Sequence, residues 1–63
     1  MKDVRILLDK DGYLIMAGSP KINDHHARRE ILSCINNGGT VKTITIEEYR
    51  ATNFTWVYDK PQD

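Results

Sequence analysis

The chain has 63 residues, with nine Lys plus Arg balancing nine Asp plus Glu, two His, one Cys and 40% hydrophobic residues. A domain of this length buries only about 60% of the surface its unfolded chain exposes, and the single Cys34 excludes an internal disulfide, so a partner is the expected source of extra stability. Zero net charge excludes the uniformly cationic surface that phosphate-led binding requires.

The N-terminus, Met1-Lys2-Asp3-Val4-Arg5, is charged from its second residue, and no apolar run reaches the length of a signal core or a spanning helix. One cytoplasmic domain over residues 1–63, with no membrane contact, is the expectation. Val4, Ile6 and Leu8 alternate at the period of a strand, and the apolar run after Gly12 reads as a second. Asp9-Lys10-Asp11-Gly12 between them is a turn, because Asp supplies a side-chain acceptor and Gly a positive φ. With those four residues as the loop, Val4, Ile6, Leu8, Tyr13, Ile15 and Ala17 share one face. Arg5, Leu7, Leu14 and Met16 share the other, which is more apolar than a solvated sheet face should be.

Gly18-Ser19-Pro20 breaks the second strand. Asn23 then caps a helix to about Asn36, and Asn37-Gly38-Gly39 supplies a left-handed stop. Ala27, Ile31, Leu32, Cys34 and Ile35 project to one side of that helix, with Arg28 among them, and should pack on the sheet. Thr40–Glu47 is β-branched and alternating, and Phe54–Tyr58 reads as a further strand carrying Phe54, Trp56 and Tyr58 on one face. Between them, Thr45-Ile46-Glu47-Glu48 fits a capping box, so a one-turn helix over Ile46–Ala51 competes with a strand running into a turn at Arg50–Asn53. The hairpin is preferred. The predicted architecture is therefore α+β, ββαββ, a four-stranded antiparallel sheet with one helix packed on one face, followed by a frayed tail over residues 59–63. One helix of this length covers only one side of such a sheet.

No residue set points to catalysis. Adjacent His25 and His26 diverge by about 100° on a helix and lack a third ligand, so no metal site is expected. Cys34 lies near the helix C-terminus, where the dipole disfavours a thiolate. Asp9-x-Asp11-Gly12 opens like a calcium loop, but Pro20 stands where the closing Glu belongs. Glu47 and Glu48, on a strand, point to opposite faces. The expectation is a protein that is not an enzyme and takes no cofactor or small-molecule substrate.

The uncovered face is the informative feature. On the hairpin register it carries Phe54, Trp56, Tyr58 and Tyr49 beside Leu7, Leu14 and Met16, an apolar area larger than monomers leave exposed. Phe54, Trp56 and Tyr58 would be buried anchors at a protein interface, rimmed by Glu47, Glu48, Arg50 and Asp59. The partner would be a larger protein or a second copy pairing its open face. Lys21, His25, Arg28 and Arg29, on and before the helix, form a local basic cluster that keeps a nucleic-acid reading open as the alternative, with the aromatic strand stacking on bases.

The short ββαββ layout, the final hairpin from Glu47-Glu48-Tyr49-Arg50 through Trp56-Val57-Tyr58-Asp59, and the lack of a catalytic set together make the chain resemble small accessory proteins encoded by bacteriophages, including anti-CRISPR and anti-restriction inhibitors. The resemblance implies an inhibitor or regulator that occupies a surface of a larger host machine, acting in the host cytoplasm.

Overall fold

The computed structural model describes residues 2–61. Its elements are β1 (Asp3–Leu8), β2 (Leu14–Gly18), α1 (His25–Asn36), β3 (Thr40–Thr45) and α2 (Ile46–Ala51), followed by a single 3-10 turn over Val57–Asp59. The sheet has three antiparallel strands in the order β2-β1-β3, not four, and two helices rather than one. The fourth strand is lost at Thr45. Its Oγ1 accepts the Glu48 backbone N–H at 3.1 Å, with Glu47 and Glu48 in the first turn and Arg50 in the last, so cap and dipole both favour a helix where the strand was expected to continue. Beyond α2 the described residues pair their backbone with the sheet at one point only, a parallel bridge between Leu14 and Trp56, with the Leu14 N–H donating to the Thr55 carbonyl at 2.8 Å.

The β1–β2 turn forms where the sequence placed it. Asp9 Oδ1 accepts from the N–H groups of Asp11 (2.9 Å) and Tyr13 (2.8 Å), and Gly12 takes φ +89°. The loop is one residue longer than expected, however, because the Asp9 N–H closes it on the Tyr13 carbonyl at 2.8 Å. Leu8 therefore pairs with Leu14, Leu7 pairs with Met16, and Ile15 is left over in a bulge. Met16 and Ala17 keep their expected faces, whereas Leu14 moves to the face of Val4 and Ile6.

Both faces of the sheet are covered. Val4, Ile6 and Leu14 form the buried centre of one face, closed over by Ile46 and Tyr49 of α2 and by Phe54 and Trp56. On the other, Leu7 is buried together with Ala27 and Cys34 of α1, and Arg5 donates from Nη2 to the Ile22 carbonyl at 2.7 Å. This reverses the expected layout, in which α1 lay over the Val4/Ile6 face and the other stayed open. β2 and β3 are parallel to one another with β1 between them, so α1 is a crossover, and the strand register places it on the right-handed side.

Asp24 rather than Asn23 caps α1, its Oδ1 accepting the Ala27 N–H at 2.9 Å. The helix stops at Asn37 with Gly38 at φ +81°, as the sequence indicated. The Gly39 N–H then donates to the Cys34 carbonyl at 2.8 Å. The buried Cys34 thiol faces the carbonyls of Leu8 at 3.2 Å and Thr40 at 3.7 Å, which ties the end of α1 to the β1–β3 ladder. Among the described residues, no helix is long and apolar enough to cross a membrane.

Candidate protein-binding surface

The C-terminal segment is held to the sheet by its first aromatics and presents its last. Phe54 and Trp56 are half-buried against the Val4/Ile6/Leu14 cluster, and Phe54 stacks on Tyr49 with ring centroids 5.8 Å apart. Trp56 in turn stacks with Tyr58, with centroids 5.7 Å apart and planes at 13°. Tyr58 is 75% exposed, more than any other large hydrophobic side chain among the described residues. The alternation expected of a strand would have put all three aromatics on one side. The 3-10 turn instead folds Tyr58 back over Trp56, so one ring is shared between core and surface and the next stands in water.

Lys60 fastens the segment's far end to the β1–β2 turn. Its Nζ lies 3.0 Å from Asp11 Oδ2 and 5.1 Å from the centre of the Tyr13 ring. The hydrogen bond from Lys60, and then its charge, hold the Asp11 carboxyl below the usual carboxylate range, and the same contact raises Lys60. Of the tail expected to fray, Asp59 belongs to the 3-10 turn and Lys60 is paired; Gln62 and Asp63 lie outside the described residues. The sequence carries no local signal for this pair, whose members are 49 positions apart.

The residues assigned to the interface from sequence divide three ways. Leu7 and Leu14 are 1% and 0% exposed, so both belong to the core and neither can meet a partner. Tyr49, Phe54 and Trp56 are half-buried, and Met16 lies at the mouth of a cleft between β2 and the start of α1. Glu47, Glu48 and Arg50 are exposed on α2, and Tyr58 on the 3-10 turn. The basic residues Lys21, His25, Arg28 and Arg29 are exposed on and before α1, and His25 Nε2 lies 3.4 Å from Arg29 Nη2. Helix and aromatic segment cover opposite faces of the sheet, so the two halves of the nucleic-acid reading do not form one surface.

Leu32 and Ile35 depart from expectation in the other direction. Assigned to the packed side of α1, they are 60% and 54% exposed. Ile35 overhangs the last strand of a three-stranded sheet, whereas Leu32, about 160° round the helix from Cys34, opens away from the sheet beside His25, Arg28 and Ser33.

Among the described residues, no group of three or more His, Cys, Asp or Glu side chains comes together in a way that could hold a metal ion. Comparison with protein-family models, curated proteins and solved structures finds no match to this chain.

Proposed function

We propose that this chain is a non-enzymatic protein-binding domain, an inhibitor or regulator that occupies a surface of a larger protein, with Tyr58 as its anchor. The observation behind this reading is the Trp56–Tyr58 stack. An exposed aromatic whose ring is already fixed loses little conformational freedom on binding, and Tyr and Trp are the side chains most often found at the energetic centre of interfaces. Asp11, Asp59 and Lys60, exposed beside the stack in the chain or through the Lys60–Asp11 pair, supply polar groups suited to a rim.

The test is retention of a partner from a host lysate by the tagged wild-type chain and by Tyr58→Ala. The variant should lose about 2 kcal/mol of binding while melting at the wild-type temperature, and nuclease treatment should leave the wild-type complex intact. Undiminished retention by Tyr58→Ala would overturn the assignment of the anchor.

A further inference from the structure

We infer that a second copy of this chain docks along the outer edge of β3, joining two three-stranded sheets into one of six strands. This surface is separate from the Tyr58 stack and does not depend on it.

The backbone parity of β3 carries the first part. Asp3 lies opposite Thr45, and one position further the Ile46 N–H donates to the Lys2 carbonyl at 3.1 Å. In an antiparallel ladder the bonded pairs alternate, so Ile44, Lys42 and Thr40 also turn their backbone groups toward β1. Val41, Thr43 and Thr45 turn theirs outward. Among the described residues, nothing bonds the N–H and C=O of Val41 and Thr43 or the N–H of Thr45; the Thr45 carbonyl belongs to the first turn of α2. β3 is regular along its six residues, without bulge or proline, and such an edge is a template for another strand. The edge of β2 differs, since its neighbour position at Leu14 is taken by Thr55 and its ladder is broken by the bulge.

The register carries the second part. Two copies related by a two-fold axis normal to the sheet must pair residues of the same face, and the outward groups must meet. Centring on Thr43 satisfies both. Thr43 then exchanges bonds with its own copy in both directions, and each Thr45 N–H reaches the Val41 carbonyl opposite. Lys42 faces Ile44 rather than another lysine, and the central pair is Thr–Thr, a favourable cross-strand pair.

The exposed flank of α1 carries the third. His26, Ala27 and Glu30 line the cleft that also contains Met16 and Gly18, so that flank of α1 faces β2. At 100° per residue the opposite flank, toward β3, is Ile31 and Ile35 with Arg28 beside them, whereas Leu32 turns away from the sheet, beside His25, Arg29 and Ser33. Ile35, 54% exposed, thus overhangs the edge that has free backbone groups, next to half-buried Ile31. Edge pairing brings Ile35 of each copy toward the dyad above the sheet and withdraws both side chains from water, with the Arg28 head groups left at the rim.

Sedimentation equilibrium on the wild-type chain up to high micromolar concentration should show a monomer–dimer equilibrium. Thr43→Glu, which sets two like charges opposite one another at the dyad, and Ile35→Glu should each give monomers with the wild-type circular dichroism spectrum, since both positions are exposed in the monomer. Thr43→Cys should crosslink to its own copy on mild oxidation and Val41→Cys should not, because only residue 43 meets itself in this register. A wild-type chain monomeric throughout overturns the inference, as does a dimer that either Glu variant leaves intact. Crosslinking through Val41→Cys in place of Thr43→Cys overturns the register.

Discussion

Leu14, completely buried, pairs with half-buried Trp56 in a single parallel bridge, and through that bridge the C-terminal segment is fixed across the face of the sheet. One backbone bond, from the Leu14 N–H to the Thr55 carbonyl, stands where a full fourth strand was expected.

Trp56 is therefore a residue of the fold before it is a residue of any interface. Trp56→Ala should cost about 2–3 kcal/mol of stability, below the range for a fully buried tryptophan because the ring is only half covered. Tyr58→Ala should stay within about 0.5 kcal/mol. Urea unfolding followed by circular dichroism separates the two; equal losses would mean that Tyr58 also supports the core.

Gly39 is required by space and Gly38 by conformation. A Cβ on Gly39 would collide with the Leu8 carbonyl oxygen and lie 2.7 Å from Cys34 Sγ and 2.9 Å from the Cys34 carbonyl oxygen. Two of those three atoms are backbone, so little can yield, and Gly39→Ala should destabilise by about 2 kcal/mol or more. Gly38, at φ +81°, has its nearest neighbour for a Cβ at an ordinary 3.8 Å, so Gly38→Ala should cost only about 1 kcal/mol of left-handed strain. Thermal melts of the two variants should rank in that order.

Thr45 decides whether the chain leaves the sheet. Thr45→Ala removes the acceptor for the Glu48 N–H and should cost about 1 kcal/mol, largely restored by Thr45→Ser. Amide exchange in α2 should speed up in the Ala variant, while the amides of β1 bonded to β3 stay protected. Uniform loss of protection would show that α2 is not a separately opening unit.

The Lys60–Asp11 pair gives the C-terminal segment a dependence on pH. Asp11 has its pKa lowered in the folded chain, so its contribution is present above the ordinary carboxylate value of about 4 and is lost as the pH falls through the folded value. Lys60 has its pKa raised, so its contribution is present below about 10.4 and is lost as the pH climbs through the folded value. The pair is closed between those limits. Both groups are well exposed, so global stability should hardly respond. The Tyr13 ring, beneath the ammonium group, is the sensitive reporter: its proton resonances should shift on acidification and lose that shift in Lys60→Met.

Elements whose causes are local are legible in the amino-acid order alone. Asp9 and Gly12 specify the first turn through a side-chain acceptor and a positive φ, Asn37 and Gly38 end α1, and the alternation of Val4, Ile6 and Leu8 and of Thr40–Glu47 marks two strands, the second of which stops two residues early at Thr45. The amino-acid order also showed that the sheet has two apolar faces and that one helix cannot cover both. Tertiary structure decided what covers the second. Thr45-Ile46-Glu47-Glu48 permits strand or helix, and the balance fell to the helix, which carries Tyr49, Phe54 and Trp56 over Ile6 and Leu14 and leaves Tyr58 outside. Which face α1 took was equally beyond the pattern, because both faces are apolar and the handedness of the crossover selects between them. Exposure followed from those choices: Leu7 and Leu14 went inside, and Ile35, on the apolar side of its helix, stayed in water because the third strand is the last.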